Sequence, residues 1–163
     1  MRVLITGGAG FLGSNLVAHY LSKGHNVAII DNYATSKSDN LPNNSNLVTL
    51  EGTIADKKSI DSLFDTFKPT HVIHSAAAYK DLEDWEGDIS TNILGMINVI
   101  RASERHNVQR FVNFQTALVY GEPISELVDE DHPLQPFTSY SISKTSGEQY
   151  LAWSNLPFVS LRL

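Results

Sequence analysis

Tyr140 and Lys144 stand four residues apart in the run Tyr140-Ser141-Ile142-Ser143-Lys144, at the start of a helical pattern. At that spacing two side chains share one face of a helix. An ammonium beside a phenol stabilises the phenolate and lowers its pKa from about 10 toward working pH, which makes a tyrosine a general base. Thr116 follows the mixed strand Arg110 to Gln115. That places its hydroxyl at the carboxyl edge of a sheet, where open α/β folds bind their ligands. The threonine could then hold the substrate oxygen that Tyr140 deprotonates. A tyrosine and a lysine at this spacing are common on helix surfaces, so the assignment depends on what the rest of the chain builds.

The chain opens with MRVLITGGAGFLG. Arg2 to Thr6 reads as a short buried strand and runs straight into Gly7, Gly8, Gly10 and Gly13, after which an amphipathic helix begins. Strand, glycine turn and helix in that order form the phosphate-binding start of a dinucleotide fold. Gly7 permits the tight turn, Gly10 lets the backbone approach a pyrophosphate, and Gly13 allows close helix–strand packing. Phe11 and Leu12 lie between the last two, where the free N–H groups of a helix start face a negative charge. Asp31 ends a second apolar strand, Asn26 to Ile30, 18 residues after Gly13. A carboxylate there can accept hydrogen bonds from a ribose 2′-hydroxyl and would repel a 2′-phosphate. No arginine follows closely, and Lys37 is the one nearby cation, so NAD is preferred to NADP.

The remaining elements must carry these groups. Helix one is expected over Phe11 to Lys23, with Leu12, Leu16, Val17, Tyr20 and Leu21 as its apolar stripe and Gly24 at its end. The polar stretch Asn32 to Asn46 resists regular structure and is expected to pass over the adenosine half of the cofactor. Leu47 to Leu50 forms strand three. Asp56 caps a helix whose inner face is Ile60, Leu63, Phe64 and Phe67. His71 to His74 forms strand four, and the small residues Ser75 to Ala78 let a flat ligand lie against the backbone or close a tight strand–helix corner. A helix is expected from Asp88 to His106, with Ile89, Ile93, Met96, Ile97 and Ile100 facing inward and Asn92 and Gly95 interrupting that face. The Asn92 amide would point to the sheet edge, holding the Ser75 to Ala78 loop or the cofactor. A last helix covers Ser139 to Ser154, and Phe158 to Leu163 starts strand six. This alternation predicts one α/β domain over 1–163, an open, mostly parallel, doubly wound sheet of Rossmann type. The chain stops while strand six is still running, which is expected of a domain cut within or just after that strand.

Composition removes several classes. The net charge of −6 and the lack of a basic stretch argue against a nucleic-acid surface. There is no cysteine, hence neither a disulfide framework nor a thiolate metal site. No apolar run is long enough to span a bilayer, and a first strand that begins at residue 2 leaves no room for a signal peptide; a cytoplasmic protein is expected. His71 and His74 point to opposite faces of their strand and are expected to pack rather than share a metal. The cluster Glu126, Asp129, Glu130, Asp131 and His132 is expected to be a solvated loop, so no metal site is assigned. Trp85 and Trp153 read as packing or interface residues. Tyr79 and Lys80 read either as contacts for substrate phosphates or as solvated side chains.

Assembled, these residues make the sequence similar to the extended short-chain dehydrogenase/reductase family, in its NAD-dependent sugar-nucleotide epimerase/dehydratase branch. The matching stretches are Thr6 to Ser14, Asp31-Asn32, His74 to Ala77, Asn92, Thr116 to Gly121 and Tyr140 to Lys144. The resemblance implies that Thr116, Tyr140 and Lys144 form a catalytic triad. Tyr140 would take a proton from a sugar hydroxyl as hydride leaves for the nicotinamide, and Lys144 would also hold the nicotinamide ribose. It further implies cofactor contacts from Gly7, Gly10, Phe11, Leu12, Gly13, Asp31, Asn32, Thr53, Ile54, Ala76, Ala77 and Asn92, together with Tyr140 and Lys144. Thr53 stands where the family often has an aspartate near the adenine, and Ile54 could pack against that ring. Ala117 and Leu118 replace the Asp-Glu pair of the dehydratases, which favours epimerisation of a nucleotide-sugar through a keto intermediate. An NAD-dependent reductase or dehydratase of a nucleotide-sugar and a non-catalytic dinucleotide-binding module are the alternatives. Family members continue into a C-terminal substrate portion and commonly pair through the two long helices, so a cofactor-binding half and a homodimer are expected.

Overall fold

The computed structural model describes all residues 1–163. Six strands form one sheet: β1 (Arg2–Thr6), β2 (Asn26–Asp31), β3 (Leu47–Glu51), β4 (His71–His74), β5 (Arg110–Gln115) and β6 (Phe158–Arg162). Their order is β3-β2-β1-β4-β5-β6, and every pairing is parallel. The expected doubly wound sheet is present, with the order reversing between β1 and β4. Such a reversal leaves a crevice at the carboxyl ends of the strands. No helix is long and apolar enough to cross a membrane.

Helices α1 (Phe11–Ser22), α2 (Lys57–Phe67), α3 (Trp85–Asp88), α4 (Met96–Arg105) and α5 (Ser139–Trp153) cover the sheet. On one face Leu4, Ala28, Val72 and Phe111 pack with Ile60 and Phe64 of α2, Val99 of α4 and Leu151 of α5. On the other, Val3, Ile5, Val27, Ile29 and Ile73 pack with Val17 and Leu21 of α1. Leu12, expected in the α1 stripe, is instead 40% exposed at the mouth of the crevice. Asp56 caps α2 as its sequence position required, accepting from the N–H groups of Lys58 and Ser59.

The expected helix from 88 to 106 is present but not regular. Between α3 and α4 lies a π-helical segment, Ile89–Gly95. Its wider turn changes which residues face inward: Ile89 is 56% exposed, whereas Asn92 and Gly95 are buried. Asn92 and Gly95 therefore do not interrupt the buried face; they belong to it. Helix α5 lies directly on this segment. A Cβ on Gly147 would sit 2.6 Å from the Asn92 carbonyl oxygen and 3.3 Å from Met96 Cγ. Gly147→Ala should therefore push α5 off the π segment and destabilise the fold by about 1–3 kcal/mol. Urea unfolding checks this, as a lower midpoint with an unchanged slope.

Candidate functional site

A cleft of about 560 Å³ opens at the carboxyl ends of β1, β2 and β4. Gly7 turns the chain there with φ +66°, and a Cβ on it would lie 2.8 Å from the backbone of Ala76. Ser75 and Ala76 donate their N–H groups to the Thr6 carbonyl and hydroxyl, so the small-residue loop is both a packed corner and a cleft wall. A Cβ on Gly13 would lie 2.2 Å from the Gly7 oxygen. Gly13 thus lets the helix start fold onto its own turn, a closer partner than the strand expected for it. Gly10 is the N-cap and offers no side-chain cap, which leaves the first-turn N–H groups of Phe11, Leu12 and Gly13 free for a ligand.

Asp31 is buried at the cleft edge. One carboxylate oxygen accepts from the Ala9 N–H at 2.9 Å; the other accepts from the Tyr33 N–H at 2.8 Å and the Ser36 hydroxyl at 3.0 Å. It braces the glycine turn as well as facing the cleft, and a carboxylate has lone pairs left for a ribose. Asn40 adds a brace that no sequence signal singles out, donating its amide to the Ala9 carbonyl at 2.9 Å. Asn32 and Thr53 are exposed on the lining. Ile54 also lines the cleft, although it is only 3% exposed and its side chain packs where a Cβ on Gly95 would fall 2.5 Å away.

Asn92 does hold the loop. Its amide oxygen accepts from the Ala78 N–H at 2.9 Å, and its nitrogen donates to the Ala78 carbonyl, Ser143 Oγ and the Asp88 carboxylate. With those partners and 3% exposure it stands behind the cleft wall. Ser143, in sequence a mere spacer between Tyr140 and Lys144, is the link from this amide to α5. Tyr79 and Lys80 are exposed on the cleft lining.

Thr116, Tyr140 and Lys144 come together beside this wall, but not with the expected electrostatics. Burial raises the Tyr140 pKa; the adjacent Thr116 hydroxyl opposes the rise, while Asp88 and Tyr79 add to it. Lys144 is 6% exposed and donates its ammonium to the Phe114 carbonyl at 2.8 Å. Burial pulls its pKa down to about 8, with the Glu148 carboxylate pulling the other way. The Lys144 ammonium is turned toward the sheet and held by the Phe114 carbonyl, and burial is the largest influence on the Tyr140 phenol.

Two further readings are refined. Trp153 is 80% exposed and Trp85 60% exposed, so neither packs within the chain. His132 is buried, and its Nε2 accepts from the Ile124 N–H, which makes it an organiser of its acidic loop. No three histidine, aspartate or glutamate side chains converge as metal ligands. His74 packs as expected, its Nδ1 hydrogen-bonded to Thr6 Oγ1 at 3.0 Å.

The sheet order, the glycine turn at its reversal and the acid ending β2 define a dinucleotide-binding α/β domain of Rossmann type. Its family follows from the sequence as a whole. The model of the NAD dependent epimerase/dehydratase family matches residues 3–163, and the chain belongs to that family. A UDP-glucose 4-epimerase of Mycolicibacterium smegmatis is 33% identical over 157 residues, covering 93% of this chain and 50% of that protein. Among solved structures, the Bordetella bronchiseptica enzyme WbmG in complex with NAD is 54% identical with TM-score 0.97, covering 99% of this chain and 52% of that one. The Thermus thermophilus UDP-glucose 4-epimerase complex with NAD is 38% identical with TM-score 0.92, covering 99% and 54%. The chain spans about half the length of the curated relatives it matches.

Burial of His74 has a consequence for pH. Its folded-state pKa is pushed down to about 3 from 6.5, so the unfolded chain binds a proton near pH 6 that the folded chain refuses. Stability from this residue is complete above pH 6.5 and is lost as pH falls toward 3, at up to about 1.4 kcal/mol per pH unit. Urea titrations at pH 7 and pH 5 should show that loss, and His74→Asn should flatten it.

Proposed function

We propose that this chain is the cofactor-binding and triad-bearing part of an NAD-dependent epimerase acting on a nucleotide-activated sugar, a UDP-sugar. The observation that carries the reading is the adjacency of two constructions. An uncapped helix start and an acid-edged glycine turn face one cleft, and Thr116, Tyr140 and Lys144 meet at the next strand end. The WbmG structure in complex with NAD and UDP, 54% identical, supports both the cofactor and the nucleotide.

In this reading the N–H groups of Phe11, Leu12 and Gly13 hold the pyrophosphate, and Asp31 and Asn32 take the adenosine ribose. Ala76 and Ala77 present bare backbone to the flat part of the cofactor, with Asn92 fixing their loop from behind. Bound NAD would accept hydride from the sugar carbon and return it to the opposite face of the keto intermediate. Tyr140 removes the hydroxyl proton in the first half and returns it in the second, while Thr116 holds that oxygen. Lys144 supplies positive charge at the base of the site and a donor for the nicotinamide ribose. Nothing at Ala117 or Leu118 can donate or accept a proton by its side chain, which favours epimerisation over elimination of water. A reductase would use the same residues but would consume cofactor.

A homodimer is part of the reading. Ile97 and Ile100 on α4 and Tyr150 and Trp153 on α5 line one groove, and Tyr150 and Trp153 are exposed. Exposed aromatic side chains beside an apolar groove are the kind that become buried anchors when a protein interface forms. Sedimentation should give a dimer at micromolar concentration, and Trp153→Ala should shift it toward monomer.

Calorimetric titration should show saturable NAD binding, weaker NADP binding, and loss of affinity in Asp31→Ala. No NAD binding by a folded chain would overturn the cofactor assignment. In an assay with UDP-sugars, Tyr140→Phe should lower kcat by about 10²–10⁴-fold while NAD binding persists. Turnover without net formation of NADH separates an epimerase from a reductase.

A further inference from the structure

One turn after Lys144, Glu148 occupies a partly buried position that the proposed reaction does not use. Its side chain is 12% exposed. One carboxylate oxygen accepts from Gln115 Nε2 at 3.0 Å, and the other accepts from Arg162 Nη2 at 3.3 Å. The same Gln115 nitrogen donates to the Lys144 main-chain carbonyl at 3.0 Å. The Gln115 side-chain oxygen accepts from the Thr116 N–H, also at 3.0 Å. Arg162, from β6, reaches on to the Tyr120 hydroxyl and lies over its ring, 5.2 Å from the centroid.

This chain of contacts has a definite geometry. Gln115 is the last residue of β5, and its amide touches two residues of the proposed site at once: the Thr116 main chain ahead of it and the Lys144 carbonyl across on α5. The Lys144 carbonyl, which only accepts, and the Thr116 N–H, which only donates, set which end of the amide faces the helix. Glu148 adds a second acceptor at the nitrogen, so both amide N–H bonds are held and the side chain is fixed between β5 and α5. Arg162 fixes the carboxylate in turn by charge-assisted hydrogen bonding.

We propose that Glu148 is a positioning residue: acting through Gln115 and held by Arg162, it sets the register of Thr116 against Lys144. This role rests on the epimerase reading, in which those two residues act on one substrate. Glu148 has a second effect through space. The charged and titratable groups around Lys144 are Tyr140 and Glu148 from its own helix, His74 from β4 and, behind Glu148, Arg162 from β6. His74 is neutral, so Glu148 is the one negative charge that favours the protonated lysine against burial.

The test is a titration of Lys144 by NMR in the chain labelled at its lysine side chains, with Lys144→Met used to assign the signal. Lys144 should titrate near pH 8 in the native chain. Glu148→Gln should move that midpoint to lower pH, because the charge is gone although an acceptor oxygen remains. Arg162→Met should move it to higher pH, because Glu148 loses its counter-charge. Opposite shifts are not produced by a loosened helix. A midpoint unmoved in a folded variant, or moved the same way by both, overturns the coupling of Glu148 to Lys144, and an unchanged kcat in Glu148→Gln overturns its positioning role; either variant decides the coupling if the other does not fold. In the UDP-sugar assay, Glu148→Gln should lower kcat by about 10–100-fold with little change in KM. If the native protein shows no epimerase activity but the lysine shifts appear, the functional reading fails while the Glu148–Lys144 coupling stands.

Discussion

Backbone packed against backbone is the constraint on which the rest of the molecule depends. At the reversal of strand order, Gly7 meets Ala76 with no room for a Cβ, and Gly13 meets the Gly7 carbonyl more tightly still. Thr6 makes the contact specific: its carbonyl and hydroxyl accept from Ser75 and Ala76, and its hydroxyl also bonds His74. These contacts lock the carboxyl ends of β1 and β4 together, so the floor of the cleft is peptide rather than side chain. A ligand lying there meets fixed N–H dipoles, whose orientation costs nothing further on binding.

The wall beside that floor obeys the opposite rule, since it is built from buried polar groups. Asp88, Asn92, Ser143 and Lys144 are each nearly inaccessible, and each finds partners within the protein. Burial acts on the ionisable members in one direction only, toward the uncharged form. It raises Tyr140 and lowers Lys144, so a protonated phenol stands beside a lysine whose charge is weakly favoured. A site biased in this way gains most from a ligand that brings its own charge and closes out water, because each electrostatic term then grows.

Much of this was legible in the sequence, and the failures share a cause. The glycine turn, Asp31, the Asp56 cap and all six strands could be read because each depends on local backbone chemistry or on short apolar runs. The proposed site residues Thr116, Tyr140 and Lys144 could be assigned to a strand end and one helix face, because strand ends and helix spacing fix those positions. The direction of the side chains could not be read in the same way. Ile54 lines the cleft, yet Gly95 on a distant helix offers a socket in which most of its side chain is packed. Lys144 shares a face with Tyr140, yet the Phe114 carbonyl captures its ammonium. Tertiary partners decided both, and no spacing along the chain encodes them.

The π segment Ile89–Gly95 shows the same conflict within one helix. A 3.6-residue period puts Ile89 inside and leaves Asn92 at the margin; the wider turn exposes the isoleucine and buries the amide. Apolar burial alone would not favour that exchange, since it gives up contacts of a large aliphatic side chain for a polar group that must be desolvated. Two things offset the loss. Four hydrogen bonds satisfy the Asn92 amide, and glycines at 95 and 147 let Ile54 and the neighbouring helix close onto the segment. The product of the exchange is a rigid link from the Ala78 loop through Asn92 and Ser143 to the main chain of Tyr140. The helix is irregular where regularity would have left the cofactor wall and the proposed base unconnected.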